Sequence, residues 1–253
     1  MTSAEKKVLI TGGARGIGLA TAQRFARGGA AVVIVDCDPL EGVVAGLARS
    51  GARARGIIAD VGNSNDATRA AGEGIEWLGG LDVLVNNAGM HFARRIDDYT
   101  AQEFDRLLHV NFRSVFDVIR AALPALRTSR GTIVSVSSMT ALVGQDRGSV
   151  YAATKGALVS LTKSLAIELA PAGIRVNCVC PAGVDTVLLR KWAETMPDPA
   201  ATLRQQNETH LIGRMATPDE IADVIVFLAS PGAAFITGVA LPVEGGATLG
   251  YRR

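Results

Sequence analysis

The sequence predicts an α/β fold, in which a parallel sheet of about seven strands is covered by helices on both faces. Two observations lead to this prediction. Short apolar, β-branched runs recur along the chain, and longer stretches with helical spacing separate them. Such alternation is typical of parallel sheets, because two parallel strands need a long crossover connection between them.

Seven runs are predicted to form the strands. In chain order they are Val8 to Thr11, Ala31 to Asp36, Ala54 to Ala59, Leu81 to Asn86, Thr132 to Val136, Arg175 to Cys180 and Val239 to Val243. The clearest helical pattern lies before the sixth run, with Leu158, Leu161, Leu165 and Leu169 at steps of three and four.

Length and composition favour one domain over residues 1–253. Of the 253 residues, 48% are hydrophobic and 20% are charged, which excludes a chain that is disordered throughout. No linker rich in proline and glycine divides the chain. The net charge is only +2 and there is no basic stripe, so we expect no nucleic-acid partner.

Targeting signals and cysteines indicate the compartment. The first residues lack the apolar core of a signal peptide, and no apolar run approaches the ~20 residues of a membrane span. Cys178 and Cys180 lie in an apolar stretch, which favours buried, reduced thiols over a disulfide or a metal site. We therefore expect a cytoplasmic protein with no membrane partner and no metal.

The alternation of strands and helices is interrupted between residues 181 and 217. No strand pattern occurs there, Pro197 and Pro199 would interrupt a helix, and the apolar residues follow no clean period. An excursion this long in a compact domain is typical of a lid or binding loop, so we predict a substrate lid at about 181–217. The alternative is a helical surface insertion without ligand contact.

A glycine-rich turn follows the first predicted strand, with Gly12, Gly16 and Gly18 leading into a helical pattern. Glycines permit a tight turn and close approach to a pyrophosphate, and the helix N-terminus offers N–H groups to anionic oxygens. Asp36 ends the second strand, where a carboxylate can accept hydrogen bonds from an adenosine ribose. Together these features predict a dinucleotide site. The alternative for Asp36 is a helix cap.

Tyr151 and Lys155 are spaced by four residues, so on a helix they share one face. A neighbouring cation stabilises a phenolate and brings the pKa of the phenol toward values useful for proton transfer. The pair alone is common on solvated helices, and its significance depends on the rest of the sequence.

With these features the chain resembles the short-chain dehydrogenase/reductases, which have a Rossmann fold, over essentially its full length. The motifs that carry the resemblance are Thr11-Gly-x-x-x-Gly-Ile-Gly18, Asn86-Asn-Ala-Gly89, Asn111, Ser138, Tyr151-x-x-x-Lys155 and the Pro181 turn before Thr186. The resemblance implies an enzyme that transfers a hydride between a nicotinamide cofactor and a secondary alcohol or ketone. The alternative from another class is a nucleotide-sensing regulator that has lost turnover.

The resemblance also implies catalytic roles. Tyr151 is then the catalytic acid and base, while Lys155 lowers its pKa and binds the nicotinamide ribose. Ser138 orients the substrate oxygen, and Asn111 holds a proton-relay water.

Two of these assignments have alternatives. Ser137 and Ser135 compete with Ser138, but the spacing of 13 residues to Tyr151 and the pattern of the family that the chain resembles favour Ser138. Ser138 could instead bond only to local backbone, as strand-end hydroxyls commonly do. Asn111 could likewise bond only to the backbone of its own helix.

The cofactor contacts implied by the resemblance extend along the chain. Besides Gly12, Gly16, Gly18, Asp36, Tyr151 and Lys155, they are Arg15 and Ile17 at the phosphates, Asp60 and Val61 beside the adenine, Asn87 near its ribose, and Val184 and Thr186 at the nicotinamide amide. The carboxylates of Asp36 and Asp38 would repel a 2′-phosphate, so NAD is expected rather than NADP.

One departure from the family pattern follows the sixth strand. The family usually has Pro-Gly there, whereas this chain has Pro181-Ala182-Gly183. Alanine takes a positive φ only with strain, so we expect the turn and the nicotinamide contacts beyond it to differ.

The lid contains Met196-Pro-Asp-Pro199, Ala201-Thr202 and Gly213-Arg-Met215, and the tail ends in Gly245-Gly-Ala-x-Leu-Gly-Tyr251. In these motifs the chain resembles the subgroup of type 14 17β-hydroxysteroid dehydrogenase and L-fucose dehydrogenases. By that resemblance His91, Gln145 and Tyr251 line the substrate site, together with Ser138 and Tyr151. The expected substrate is a sugar such as L-fucose, with a steroid as the alternative. The family resemblance also implies a homotetramer.

Overall fold

The structure is a computed structural model that describes residues 6–249. Its strands are β1 Lys7–Thr11, β2 Ala31–Asp36, β3 Ala54–Ile58, β4 Val83–Asn86, β5 Thr132–Val136, β6 Arg175–Pro181 and β7 Ala240–Val243. They form one parallel sheet in the order β3-β2-β1-β4-β5-β6-β7. The predicted fold class is therefore confirmed. The strand boundaries differ by at most two residues from the sequence prediction, the largest difference being that β4 begins at Val83 rather than Leu81.

Helices cover both faces of this sheet. In chain order they are α1 Gly16–Arg27, α2 Glu41–Arg49, α3 Ser64–Leu78, α4 Ala101–Leu108, α5 Ser114–Ser129, α6 Ser149–Leu169, α7 Val187–Glu194, α8 Pro199–Thr209 and α9 Pro218–Leu228. A π-helical turn, His109–Arg113, joins α4 to α5.

The two faces of the sheet form two hydrophobic layers, because successive residues of a strand point to opposite sides. On β1, Leu9 packs in the layer that includes α3, α5 and α6. Its neighbours Val8 and Ile10 pack in the layer that includes α1, α2 and α9. All three side chains are fully buried. This two-sided burial explains why the strands read as continuous apolar runs in the sequence.

The segment between β6 and α9 contains two helices, α7 and α8, that the sequence analysis did not predict. Pro197 precedes α8, and Pro199 is its first residue, a position where the missing N–H costs nothing. Asp198 caps α8 by accepting a hydrogen bond from the N–H of Ala201 at 2.8 Å. The prolines therefore separate two helices rather than exclude them.

The burial of Cys178 and Cys180 agrees with the expectation above. Cys178 and Cys180 are buried in β6 as free thiols, and Cys37 is free and exposed. Within residues 6–249, none of the helices combines the length and the apolar character that crossing a membrane requires.

Candidate active site

A cleft of about 430 Å³ opens at the carboxyl ends of the strands. The chain reverses direction across the sheet between β1 and β4, which are neighbours although β2 and β3 lie between them in sequence. Loops leaving adjacent strands in opposite directions create a crevice at such a point, and ligands of α/β sheets bind there. The turns after β1 to β6 all contribute to the lining of the cleft.

The glycine-rich turn after β1 is shaped for close contact with a ligand. Gly12 and Gly16 have φ values of 68° and 56°, a region that side chains disfavour. A Cβ on Gly18 would lie 2.1 Å from the carbonyl oxygen of Gly12, so only glycine fits there. Helix α1 has no side-chain cap and no acid in its first turn. Its free N–H groups and positive dipole end suit an anion such as a pyrophosphate, so a dinucleotide fits this turn.

Asp36 lies at the end of β2 beside this turn. Its two carboxylate oxygens accept hydrogen bonds from the N–H groups of Ala14 at 2.9 Å and Asp38 at 3.1 Å. Helix α2 begins later, after Leu40, so Asp36 is not a helix cap. The carboxylate lines the cleft and retains lone pairs that can accept further hydrogen bonds.

The residues predicted at the adenine end also line the cleft. Asp60 accepts a hydrogen bond from Arg106 at 3.0 Å, and Val61 is buried beside it. Asn87 donates to the carbonyls of Thr11 at 3.1 Å and Gly12 at 2.7 Å. Its amide therefore holds the glycine turn in place and leaves only its oxygen for other partners.

Tyr151 and Lys155 lie on α6 and face the other end of the cleft. The Lys155 ammonium is 5.8 Å from the centre of the Tyr151 ring and donates to the carbonyl of Val136 at 2.8 Å. Burial lowers the pKa of Lys155 to about 8, so its charge is retained at neutral pH.

The pKa of Tyr151 moves in the opposite direction from our expectation. Burial raises the pKa of the phenol, and a hydrogen bond with Ser138 lowers it by a smaller amount. The lowering that we expected from Lys155 is not among the causes of this shift.

The three candidate serines have different surroundings. Ser138 lines the cleft, lowers the pKa of Tyr151, and accepts from the N–H of Thr140 at 3.2 Å. Ser137 instead donates to the carbonyl of Lys155 at 2.8 Å, which ties α6 to β5. Ser135 is buried next to the Asn86 amide, at 3.4 Å. Of the three, Ser138 is the one that influences the pKa of Tyr151.

Asn111 is fully buried in the π-helical turn between α4 and α5. Its amide exchanges two hydrogen bonds with the backbone of Met90, at 2.8 Å and 2.9 Å, and donates to Thr154 at 3.2 Å. The alternative was that Asn111 bonds only to the backbone of its own helix. Asn111 does bond to backbone, but that backbone belongs to Met90, in the loop after β4. These bonds fix the loop that carries His91.

Of the predicted substrate residues, His91 and Gln145 line the same end of the cleft as Tyr151. The His91 ring lies 4.6 Å from the Tyr151 ring and 6.3 Å from the Trp192 ring, centre to centre. Burial lowers the pKa of His91 to about 4, so the ring is neutral at physiological pH. Its Nε2 atom is buried without a hydrogen-bond partner among the residues that the structure describes. Tyr251 lies outside the described residues.

The turn at the end of β6 contains Pro181, Ala182 and Gly183. Within residues 6–249, Arg130 and Arg147 are the non-glycine residues with positive φ, so Ala182 carries no such strain. A Cβ on Gly183 would lie 2.9 Å from side-chain atoms of Gln206 and His210, so a larger residue there would require these side chains to shift. Val184 and Thr186 both line the cleft beyond this turn.

Several cleft residues were not singled out from the sequence. They are Arg106 on α4, Leu188, Leu189 and Trp192 on α7, and Gln206 on α8. Trp192 was noticeable in the sequence as an isolated tryptophan in a polar stretch, but this pattern did not indicate which residues it would contact.

Comparisons with known proteins agree with this geometry. The sequence matches the family described as enoyl-(acyl carrier protein) reductase over residues 12–248. It is 41% identical to the L-fucose dehydrogenase of Bos taurus over 251 residues, covering 99% of this chain and 92% of that protein.

Two solved structures are also similar. A 3-ketoacyl-(acyl-carrier-protein) reductase from Brucella melitensis, complexed with NADH, has a TM-score of 0.87 and 37% identity, covering 97% of this chain and 100% of that one. A short-chain dehydrogenase from Burkholderia cenocepacia, in complex with NADP, has a TM-score of 0.87 and 38% identity, covering 96% of this chain and 97% of that one. Neighbours of this fold thus bind either nicotinamide dinucleotide.

Proposed function

Because this chain belongs to the short-chain dehydrogenase/reductase family and is an oxidoreductase of sugars or other secondary alcohols, we propose that it is an NAD-dependent dehydrogenase of a sugar such as L-fucose. One observation carries this proposal. A single cleft joins a glycine turn and an acidic residue suited to a dinucleotide to an end where Tyr151, Lys155 and Ser138 meet.

In the proposed mechanism, Tyr151 moves the proton at the substrate oxygen. The phenol accepts it during alcohol oxidation and donates it during ketone reduction. Ser138 hydrogen-bonds both the substrate oxygen and Tyr151, and so holds them in line. The nicotinamide, when bound, supplies the site that accepts or gives the hydride.

Lys155 and Asn111 support this proton transfer. The buried ammonium of Lys155 stabilises the phenolate of Tyr151 and is available to hydroxyl groups of a nicotinamide ribose. Asn111 positions the loop of Met90 and holds a relay water near Lys155. Gly89, Lys155 and Asn111 lie close together. A Cβ on Gly89 would be 3.3 Å from the Lys155 ammonium and 3.4 Å from the Asn111 side-chain oxygen.

The preference for NAD rests on Asp36. A carboxylate can accept hydrogen bonds from both ribose hydroxyls of NAD, whereas it repels the 2′-phosphate of NADP. Around the rest of the dinucleotide we propose contacts from Gly12, Arg15, Gly16, Ile17, Gly18, Asp60, Val61, Asn87, Val184 and Thr186.

The sugar is supported by polar groups at the substrate end. His91 and Gln145 offer hydrogen bonds there, and the ring of Trp192 offers an apolar face of the kind that packs against pyranose C–H groups. The similarity to the L-fucose dehydrogenase of Bos taurus supports the same choice.

A steroid is the second candidate substrate. Val187, Leu188 and Leu189 of α7 contribute an apolar wall to the cleft, which would suit a rigid apolar ring system. We also propose that residues 181–217 act as the substrate lid, since α7 and α8 form much of this end of the cleft.

The test is turnover of a substrate panel. Purified protein is incubated with NAD and with aldoses, 17β-hydroxysteroids and simple secondary alcohols, and NADH formation is followed at 340 nm, the usual nicotinamide absorbance band. The proposal expects L-fucose or a related aldose to give the highest kcat/KM. A steroid optimum would select the second candidate, and NAD binding without turnover of any alcohol would favour a nucleotide-sensing regulator.

We further propose a homotetramer. Large apolar side chains are exposed on this chain, among them Phe104, Phe116, Ile167 and Phe235, and such surface is typical of subunit contacts. Light scattering at working concentration tests the assembly. Tyr251 would then reach a neighbouring subunit's cleft, and deletion of residues 249–253 should raise the substrate KM.

A cytoplasmic location is proposed from the thiols. Cys37, Cys178 and Cys180 are free, as expected in a reducing compartment. Fluorescence microscopy of the tagged protein in its native cell tests this.

A further inference from the structure

Arg15 and Asp38 form an ion pair beside the adenosine end of the cleft. Arg15 belongs to the glycine turn and directly precedes α1, and Asp38 lies in the loop after β2. The two side chains are partly exposed, at 53% and 36%. They come from segments that meet only in the folded protein.

Asp36 arranges this pair. One of its carboxylate oxygens accepts from the N–H of Ala14, next to Arg15, and the other accepts from the N–H of Asp38. The same carboxylate therefore fixes the backbone on both sides of the ion pair. Preorganised groups pair at a smaller entropic cost, so the Arg15 side chain is directed toward Asp38.

The other guanidinium in the lining of the cleft is also paired with an acid. Arg106 contacts both carboxylate oxygens of Asp60, at 3.0 Å and 2.9 Å. Lys155 lies at the opposite end and donates to Val136. Among the described residues, each cation that lines the cleft thus already has an acceptor within the protein.

A 2′-phosphate needs a cationic donor, and a guanidinium in this turn is well suited to that task. We propose that Asp38 is a specificity-determining residue, which excludes NADP by binding Arg15 and withdrawing it from the 2′-phosphate. Asp36 and Asp38 then favour NAD in two different ways. Asp36 binds the ribose hydroxyls, and Asp38 removes the group that would compensate the repulsion between Asp36 and a phosphate.

This inference rests on the proposed NAD site, so the experiment tests the two separately. The probes are 5′-AMP, which reports the nucleotide site, and adenosine 2′,5′-bisphosphate, which adds the 2′-phosphate. Their dissociation constants are measured by isothermal titration calorimetry on the intact protein. The variants are Asp38→Ala, Arg15→Gln and the double variant.

A matched control is Asp66→Asn. Asp66 pairs with Arg69 on α3, at 3.0 Å, and does not line the cleft. This variant removes the same charge from a similar ion pair, and it should bind both probes as the unmodified protein does.

The inference expects Asp38→Ala to bind the bisphosphate about tenfold more tightly, which corresponds to about 1.4 kcal/mol. Binding of 5′-AMP should stay within about twofold. The gain from Asp38→Ala should be much smaller when it is measured in the Arg15→Gln background, because the released guanidinium supplies most of it and the lost repulsion from Asp38 only the remainder.

An unchanged bisphosphate affinity in Asp38→Ala would overturn the inference. An equal gain with and without Arg15 would also overturn it, since Asp38 would then act by its own charge. If the unmodified protein binds neither probe, the nucleotide site itself is refuted, and the proposed function fails together with this inference.

Discussion

The rings of His91 and Tyr151 stand nearly perpendicular, with an interplanar angle of 88° and their centres 4.6 Å apart. The imidazole therefore lies against the phenol that we assign to proton transfer. Burial lowers the pKa of His91 to about 4, so its imidazole does not add a second cation to that of Lys155 beside the phenol at neutral pH.

His91 should make folding sensitive to acid. Its pKa in the folded protein lies below the ordinary value of 6.5, so protons bind preferentially to the unfolded chain. Above about pH 6.5 the neutral imidazole therefore costs the folded protein no stability. As the pH falls toward 4, the free energy of unfolding should decrease by up to about 3 kcal/mol. In His91→Gln this loss should be smaller. Urea unfolding at a series of pH values measures it, and identical pH dependence of the two proteins would contradict the prediction.

Tyr151→Phe should lose at least ~100-fold in kcat, the usual scale of general acid and base catalysis. NAD should still bind with a similar dissociation constant, since only one hydroxyl is removed. Tyr99→Phe is the matched control, because its phenol donates to the carbonyl of Phe92 and does not line the cleft. Steady-state kinetics and fluorescence titration with NAD measure both effects. Near-normal turnover in Tyr151→Phe would refute the assignment.

Lys155→Ala should move the pH optimum of the residual alcohol oxidation upward. The phenolate of Tyr151 is the base in this direction, and loss of a nearby ammonium makes it form only at higher pH. The pH profile of kcat/KM, followed from neutral to strongly alkaline conditions, gives the shift. A profile that coincides with that of the unmodified protein would remove Lys155 from this role.

The unmodified protein should prefer NAD over NADP by at least ~100-fold in kcat/KM, which corresponds to about 2.7 kcal/mol. Replacing Asp36 with Ser and Cys37 with Arg should reverse much of this preference, because it removes a repelling carboxylate and supplies a phosphate donor. Kinetics with both cofactors measures the ratio. Equal values in the unmodified protein would falsify the role of Asp36.

Thr217→Ala should destabilise the protein by about 1 kcal/mol, the usual effect of losing an N-cap. Thr217 and Glu220 form a capping box at the start of α9, where the lid segment ends. Arg214 and the N–H of Thr217 hold the pKa of Glu220 at about 2. Thr209→Ala is the control, since that hydroxyl donates to the carbonyl of Gln205 within α8 and does not cap a helix. Equal unfolding free energies for the two variants in urea would count against the prediction.

The sheet could be predicted from the sequence because its strands are buried on both faces. Val33 and Ile34, for example, are fully buried in opposite layers, and such positions admit only apolar residues. Helix α8 gave no comparable signal. None of its described residues is buried, so no apolar stripe marks it.

The candidate site could be predicted only where one residue type is required at a fixed spacing, as for Gly12 and Gly18 or Tyr151 and Lys155. The partnership of Arg106 with Asp60 joins residues 46 positions apart and depends on how α4 crosses the sheet. Asn111 likewise lies in a π-helical turn and forms two bonds to Met90, and no local pattern reveals either feature.

The order of the strands has a consequence for how the chain can assemble during synthesis. Strand β1 has β2 on one side and β4 on the other, and each strand from β5 to β7 lies beside the one before it. Every new strand is therefore added at an outer edge, and none has to enter between two that are already paired. The first four strands are complete at Asn86. The glycine turn after β1 and the turns after β2 and β3, which line the nucleotide half of the cleft, lie before that residue. The nucleotide half of the cleft can thus take shape before the ribosome has added Tyr151.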